Sequence, residues 1–126
     1  MRYRRLGRSG LIVSELSLGT MQFGGAMKMG ALGQGETDAM VRFALDQGIN
    51  FIDTADVYSL GESETLLGNA LRGVRTEIVL ATKARLPISE TNFNHSGATR
   101  VNLLREAEAS LRRLQTDYID LFQVHG

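Results

Sequence analysis

Four short apolar stretches constrain this chain more than anything else in it: "LSLGTMQF" (16–23), "NFIDTA" (50–55), "EIVLATK" (77–83) and "YIDLFQVHG" (118–126). Three segments with helical periodicity separate them, so the order is β-α-β-α-β-α-β. Strands alternating with helices predict a parallel sheet with right-handed crossovers, which leaves two architectures, a doubly wound open sheet or a (β/α) barrel. In both, ligands collect at the carboxyl ends of the strands. The pattern therefore says where to look for chemistry.

The connecting segments carry their own signals. Residues 2–6 and 11–14 suit a small hairpin around "GRSG", ahead of the first strand of the sheet. A glycine-rich loop then runs to Gly35, long enough to be functional, with Met27 and Met29 able to line an apolar pocket. A helix is expected over 37–47, with Thr37 as N-cap, Met40, Val41, Ala44 and Leu45 on one face, and Gly48 at its end. "ESETLLGNALRG" reads as a second helix, acidic in its first turn and closed by Gly73. The longest helix spans about 98–115, with Val101, Leu104, Ala107, Leu111 and Leu114 at helical spacing. The lone proline, Pro87, falls in a loop.

Composition removes several function classes. Fourteen basic and fourteen acidic residues balance, so there is no footprint for nucleic acid. The cluster of Arg2, Arg4, Arg5 and Arg8 reads as the polar face of the hairpin. No cysteine is present, and two histidines without an H-E-x-x-H pattern do not make a metal site. No apolar run reaches membrane-spanning length and no leader is visible, so the expected location is cytoplasmic. His95, in the polar loop "SETNFNHSG", is expected to be solvated, near substrate at most.

The strand ends are informative. The first delivers Gly19, Thr20 and Met21, the second Asp53 with Tyr58 in the following loop, the third Lys83 and the fourth His125. A charge at the end of an apolar segment is costly unless paired. Lys83 can stabilise the phenolate of Tyr58, Asp53 can hold Lys83 charged and oriented, and His125 can orient a carbonyl oxygen. Tyr58 then becomes a general acid for an oxygen that gains negative charge, as in reduction of a carbonyl by hydride. Asp56 is assigned a structural role, capping the loop before the second helix.

These residues make a pattern that resembles the aldo-keto reductase family. "LGTMQFGG", "GINFIDTADVYSLGESETLLGNAL", "VLATK" and "SLRRLQTDYIDLFQVHG" are similar to its signature segments, in its order. The resemblance implies an α/β fold, a (β/α)8 TIM barrel preceded by an N-terminal hairpin, incomplete here. A whole barrel needs about 250 residues, and residues 1–126 would supply its N-terminal half. It further implies an NADP(H)-dependent oxidoreductase that reduces aldehydes or ketones, with hydride from NADPH and the proton from Tyr58. Asp53, Lys83 and His125 complete the catalytic set, and Gly19, Thr20, Met21 and Asp53 lie beside the nicotinamide-ribose. No G-x-G-x-x-G or P-loop cradle offers separate support for the cofactor. Two alternatives remain. One is a cofactor-binding regulatory module, as in the potassium-channel β subunits that resemble the same family. The other is an inactive half-barrel that closes by self-association or with a missing C-terminal half.

Overall fold

The computed structural model describes residues 1–26 and 31–126; Met27 and Met29 lie outside the described residues. The hairpin forms as expected, β1 (Tyr3–Arg5) pairing antiparallel with β2 (Ile12–Ser14), and Glu15 holds Arg2 at 2.9 Å on its exposed face. Four parallel strands follow in the order β3 (Leu18–Gly19), β4 (Phe51–Asp53), β5 (Val79–Ala84), β6 (Leu121–Val124). Helices α1 (Gln34–Asp46), α2 (Glu62–Ala70) and α3 (Arg100–Leu114) connect them. The barrel is not closed: among the described residues β3 and β6 are the edges of the sheet. No helix there is long and apolar enough to cross a membrane.

The strands are shorter than the apolar stretches that announce them, because the chain turns as soon as its polar groups find local partners. The 16–23 stretch yields only Leu18–Gly19: Thr20 N–H still bonds the Asp53 carbonyl at 3.1 Å, and Phe23 N–H then bonds Thr20 O at 2.9 Å, closing a turn. The 50–55 stretch contracts to Phe51–Asp53, the 77–83 stretch shifts to Val79–Ala84 after a single 3-10 turn, and the last strand begins only at Leu121. There Asp120 substitutes for a ladder residue, its carboxylate accepting from Leu80 N–H at 2.8 Å and from Arg75 at 3.0 Å.

The first helix begins three residues earlier than expected. Thr37 is not its N-cap: Gly33 occupies that position, and Thr37 is fully buried in the first turn. The start is secured instead by Gln34, whose side-chain amide donates to Asp38 and Leu66 O and accepts from Asn69, tying α1 to α2. Met40, expected on the buried face, is exposed. The end is as expected. Gly48 at φ +87° takes the left-handed position, with Gly48 N–H to Leu45 O and Ile49 N–H to Ala44 O, the paired bonds of a Schellman cap. Helix α2 stops at Ala70, before Gly73.

The largest correction concerns α3. Val101 and Leu104 are half exposed, while Asn102, Glu106, Ser110 and Leu114 face inward. A polar stripe is buried because Glu64 on α2 pairs with Arg113 of this helix and His95 in the preceding loop meets Glu106. Only Leu114 from this helix joins the apolar core, with Phe23, Val41, Ile52, Leu67, Leu71, Ile78 and Leu80 between helices and sheet.

Close packing of α2 on α3 depends on Gly68. A Cβ there would lie 2.6 Å from Arg113 O and 2.7 Å from Leu114 C, both backbone atoms that cannot rotate away. Gly68→Ala is expected to cost about 1–3 kcal/mol, the usual range for overpacking. Urea unfolding with an unchanged midpoint would refute the contact.

Candidate active site

Strand parity assembles the site. Parallel register pairs Gly19 with Asp53, Asp53 with Ala81, Ala81 with Leu121 and Lys83 with Gln123. Side chains two residues apart on a strand share a face, so Asp53, Lys83, Gln123 and His125 all point to the side away from the helices. Ile52, Leu80 and Thr82 point to the other. The alternation thus sends chemistry to one face and apolar packing to its opposite.

Tyr58 reaches this face through a tight turn. After β4, Asp56 N–H bonds Lys83 O at 3.1 Å and Tyr58 N–H bonds Ala55 O at 3.3 Å, so the loop is stitched to β5 and to itself. Ser59 (φ 48°) and Leu60 (φ 56°) then adopt left-handed backbone, a conformation that costs roughly 1–2 kcal/mol per non-glycine residue. The turn is held because Ser59 is buried, whereas Leu60 is open to solvent.

The four expected catalytic residues come together around one ammonium group. Lys83 Nζ donates to Asp53 Oδ2 at 2.6 Å, to Thr54 O at 2.9 Å and to the Tyr58 hydroxyl oxygen at 3.2 Å. Three acceptors match the three protons of an ammonium. Since the phenol oxygen accepts from Lys83, its own proton is free to be donated elsewhere. The His125 ring stands edge-on to Tyr58, centroids 5.9 Å apart at 84°. Burial, then the Lys83 ammonium and Arg85, push His125 below the ordinary imidazole range against the opposing pull of Asp53, which makes it neutral at pH 7. Among the described residues its Nδ1 is buried without a partner.

Gln123 escaped the sequence reading. Its amide donates to Asp53 Oδ1 at 3.2 Å, so Asp53 is held from both sides, by Lys83 and by Gln123. The signal was available, because Gln123 lies two residues before His125 on one strand and must share its face.

Gly19, Thr20, Met21 and Gln22 line a cleft of about 410 Å³ with Asp53 and Tyr58. Gly19 leaves open space where a side chain would stand, and Met21 is partly exposed along the wall. Thr20 is different. Its side chain is fully buried and its hydroxyl is engaged, donating to Asp53 O at 3.1 Å and accepting from Ser63 at 3.2 Å. It shapes the cleft by holding β3 against β4.

Two expectations are corrected. His95 is not solvated: its Nε2 lies 2.6 Å from Glu106 Oε1, and only about a quarter of the side chain is exposed. Asp56 does not cap the loop. It is buried, and among the described residues neither carboxyl oxygen meets a donor; the group it faces is the Glu106 carboxyl. Both belong to a buried polar network that the sequence does not reveal. Glu64, with no exposure, accepts from Arg113 Nε at 2.6 Å and from the Thr82 hydroxyl at 2.6 Å, and Arg113 also lies 3.8 Å from Glu106.

Comparison with known proteins gives the family. The family model described as "Aldo/keto reductase family" matches residues 15–126. Aldo-keto reductase YhdN of Bacillus subtilis is 43% identical over 99% of this chain and 38% of its own length. A probable voltage-gated potassium channel subunit beta of Oryza sativa is 36% identical over 99% of this chain and 37% of its own length. Among solved structures, the holo form of aldo-keto reductase AKR11C1 from Bacillus halodurans superposes with a TM-score of 0.83 at 39% identity, covering 100% of this chain and 40% of that one. The chain thus spans about two fifths of the length of the relatives it matches. The chain belongs to the aldo/keto reductase family.

Proposed function

We propose that this chain is the N-terminal, catalytic half of an NADP(H)-dependent reductase of aldehydes or ketones, acting on a small-molecule carbonyl substrate in the cytoplasm. The observation that carries the reading is the Lys83 ammonium bridging Asp53 Oδ2 at 2.6 Å and the Tyr58 hydroxyl at 3.2 Å. The cleft bordered by Gly19, Met21, Asp53 and Tyr58 suits a nicotinamide-ribose, having one open wall at Gly19 and an apolar one at Met21. The hydride is the one contribution taken from the bound reduced nicotinamide.

The chain's own residues do the rest. Tyr58 gives its proton to the carbonyl oxygen as that oxygen becomes an alkoxide. Lys83, donating to the same phenol oxygen, stabilises the negative charge left on it. Asp53 fixes Lys83 in position and balances its charge, and Gln123 fixes Asp53. Neutral His125 donates one N–H to the carbonyl oxygen, which raises the electrophilicity of its carbon without adding a charge that would repel Lys83.

The test is turnover by the complete protein with NADPH and a panel of aldehydes and ketones. NADPH consumption must match alcohol formed one for one, and absence of any turnover across the panel would defeat the reading. The 126-residue chain alone is expected to bind NADPH weakly or not at all, since no cradle for its phosphates is visible in the sequence. A second reading, a cofactor-binding regulatory module, is favoured by the likeness to the Oryza sativa channel subunit. Tight NADPH binding without appreciable turnover would select it.

A further inference from the structure

The loop that delivers Tyr58 is fastened at its midpoint by a carboxyl pair that the catalytic reading leaves unused. Asp56 lies between Asp53 and Tyr58, and its peptide N–H bonds the carbonyl of Lys83 itself, so any displacement of Asp56 is transmitted to both partners of the Tyr58–Lys83 contact. Its side chain is 1% exposed and faces Glu106 on α3, itself 2% exposed, and both Asp56 carboxyl oxygens and Glu106 Oε2 are buried without a donor among the described residues. Two carboxyl groups that meet in a dry site can bond to each other only if one carries a proton.

The surrounding charges decide which one. Glu106 faces the His95 ring from the loop after β5 at 2.6 Å and the Arg113 guanidinium from its own helix at 3.8 Å, so its carboxyl already has partners. Asp56 faces Glu106 on α3 and Glu64 on α2, with Arg113 the one cation acting on it among the described residues, already engaged by Glu64. Among the described residues, nothing donates to Asp56 if it ionises. Burial, then the bond to Glu106 and the charges of Glu106 and Glu64, raise Asp56 from 3.8 to about 7 against the opposing effect of Arg113.

We propose that Asp56 is a positioning residue for Tyr58: in its protonated form it bonds Glu106 and clamps the catalytic loop to α3, and its ionisation releases the loop. The proposal rests on the catalytic reading of Tyr58, but the clamp can be observed without turnover. The sign follows from linkage. The closed loop holds a proton that an opened, solvated Asp56 would lose, so opening becomes easier as pH rises from 3.8 towards about 7 and levels off beyond.

The experiment compares the complete protein with Asp56→Asn, in which a neutral amide keeps the shape and a donor for Glu106. Hydrogen exchange, corrected for the intrinsic pH effect, should show protection of the amides of residues 56–61 falling by up to about tenfold per pH unit between pH 5 and 7 in the wild type. In Asp56→Asn it should be flat. The pH profile of kcat should show a limb near 7 in the wild type. Asp56→Asn should lose that limb while keeping kcat at pH 6 within about threefold. Equal pH dependence of protection in both proteins would overturn the clamp. So would a drop of more than about tenfold in kcat of Asp56→Asn at pH 6, which would mean that an ionised Asp56 is required. If exchange behaves as expected and neither protein turns over any carbonyl, the clamp stands and the reductase reading fails.

Discussion

Replacing Tyr58 with phenylalanine in the complete protein is expected to lower kcat for carbonyl reduction by about 10²- to 10⁴-fold, the usual worth of a positioned general acid. The substitution removes one oxygen. That oxygen accepts from Lys83 at 3.2 Å and carries the proton intended for the substrate. Neither His125 nor Lys83 replaces it: His125 is kept neutral beside the cation, and the one Lys83 proton freed by the change sits on an ammonium anchored by Asp53 and Thr54 O, set back by the 3.2 Å that separated it from the phenol oxygen. The ring remains to fill the site and to meet His125 edge-on, so NADPH binding, read by fluorescence titration, should change little. Reduction at more than a tenth of the wild-type rate would show that the proton has another source.

Arg113→Ala is expected to be the most destabilising single change, at about 3–5 kcal/mol, because it strands buried carboxylates. Glu64 is fully enclosed, and Arg113 Nε at 2.6 Å is its one cationic partner among the described residues; the Thr82 hydroxyl supplies its other close bond. The same guanidinium lies 3.8 Å from Glu106. An intact buried pair is weak evidence for stability, since its attraction is spent on desolvation, but removal of one member leaves the whole desolvation cost unanswered. Urea unfolding should show a lower midpoint with an unchanged slope. Arg113→Lys should recover only part of the loss, since an ammonium cannot reproduce the fork that reaches both Glu64 and Glu106. A loss under about 1 kcal/mol for the alanine variant would place Glu64 in a wetter site than its burial indicates.

The two variants probe features that differ in how they are written in the chain. The Tyr58 site was legible because each member marks itself. Asp53, Lys83 and His125 close apolar stretches where a polar group is anomalous, and strand parity then brings them to one face. Gln123 needed the same parity argument and nothing more. The Arg113 network left no such mark. Glu64 looked like an ordinary acidic residue in the first turn of a helix, and Arg113 like an ordinary basic one in the last turn of another.

Helix α3 shows why. Its helical period is evident, but Val101 and Leu104 form one stripe while Asn102, Glu106 and Ser110 form another with the same period. Periodicity alone cannot choose between them. The choice falls to what the neighbouring elements present, here Glu64 and Asp56 from segments distant in sequence and His95 from the preceding loop. Thr37 was misread for a related reason. A threonine before an apolar run is a sound local cap, but burial against the core and the side-chain bonds of Gln34 start the helix earlier.

The chain's sequence by itself determined the order of elements, the parallel sheet and the rim on which Asp53, Tyr58, Lys83 and His125 meet, because alternation and apolar runs are local properties. Only the tertiary structure decided which face of α3 turns inward, that Thr20 is consumed in holding two strands together, and that Asp56 meets Glu106 out of reach of water. Those outcomes depend on charge and burial summed over segments far apart in the chain, and no local pattern records that sum.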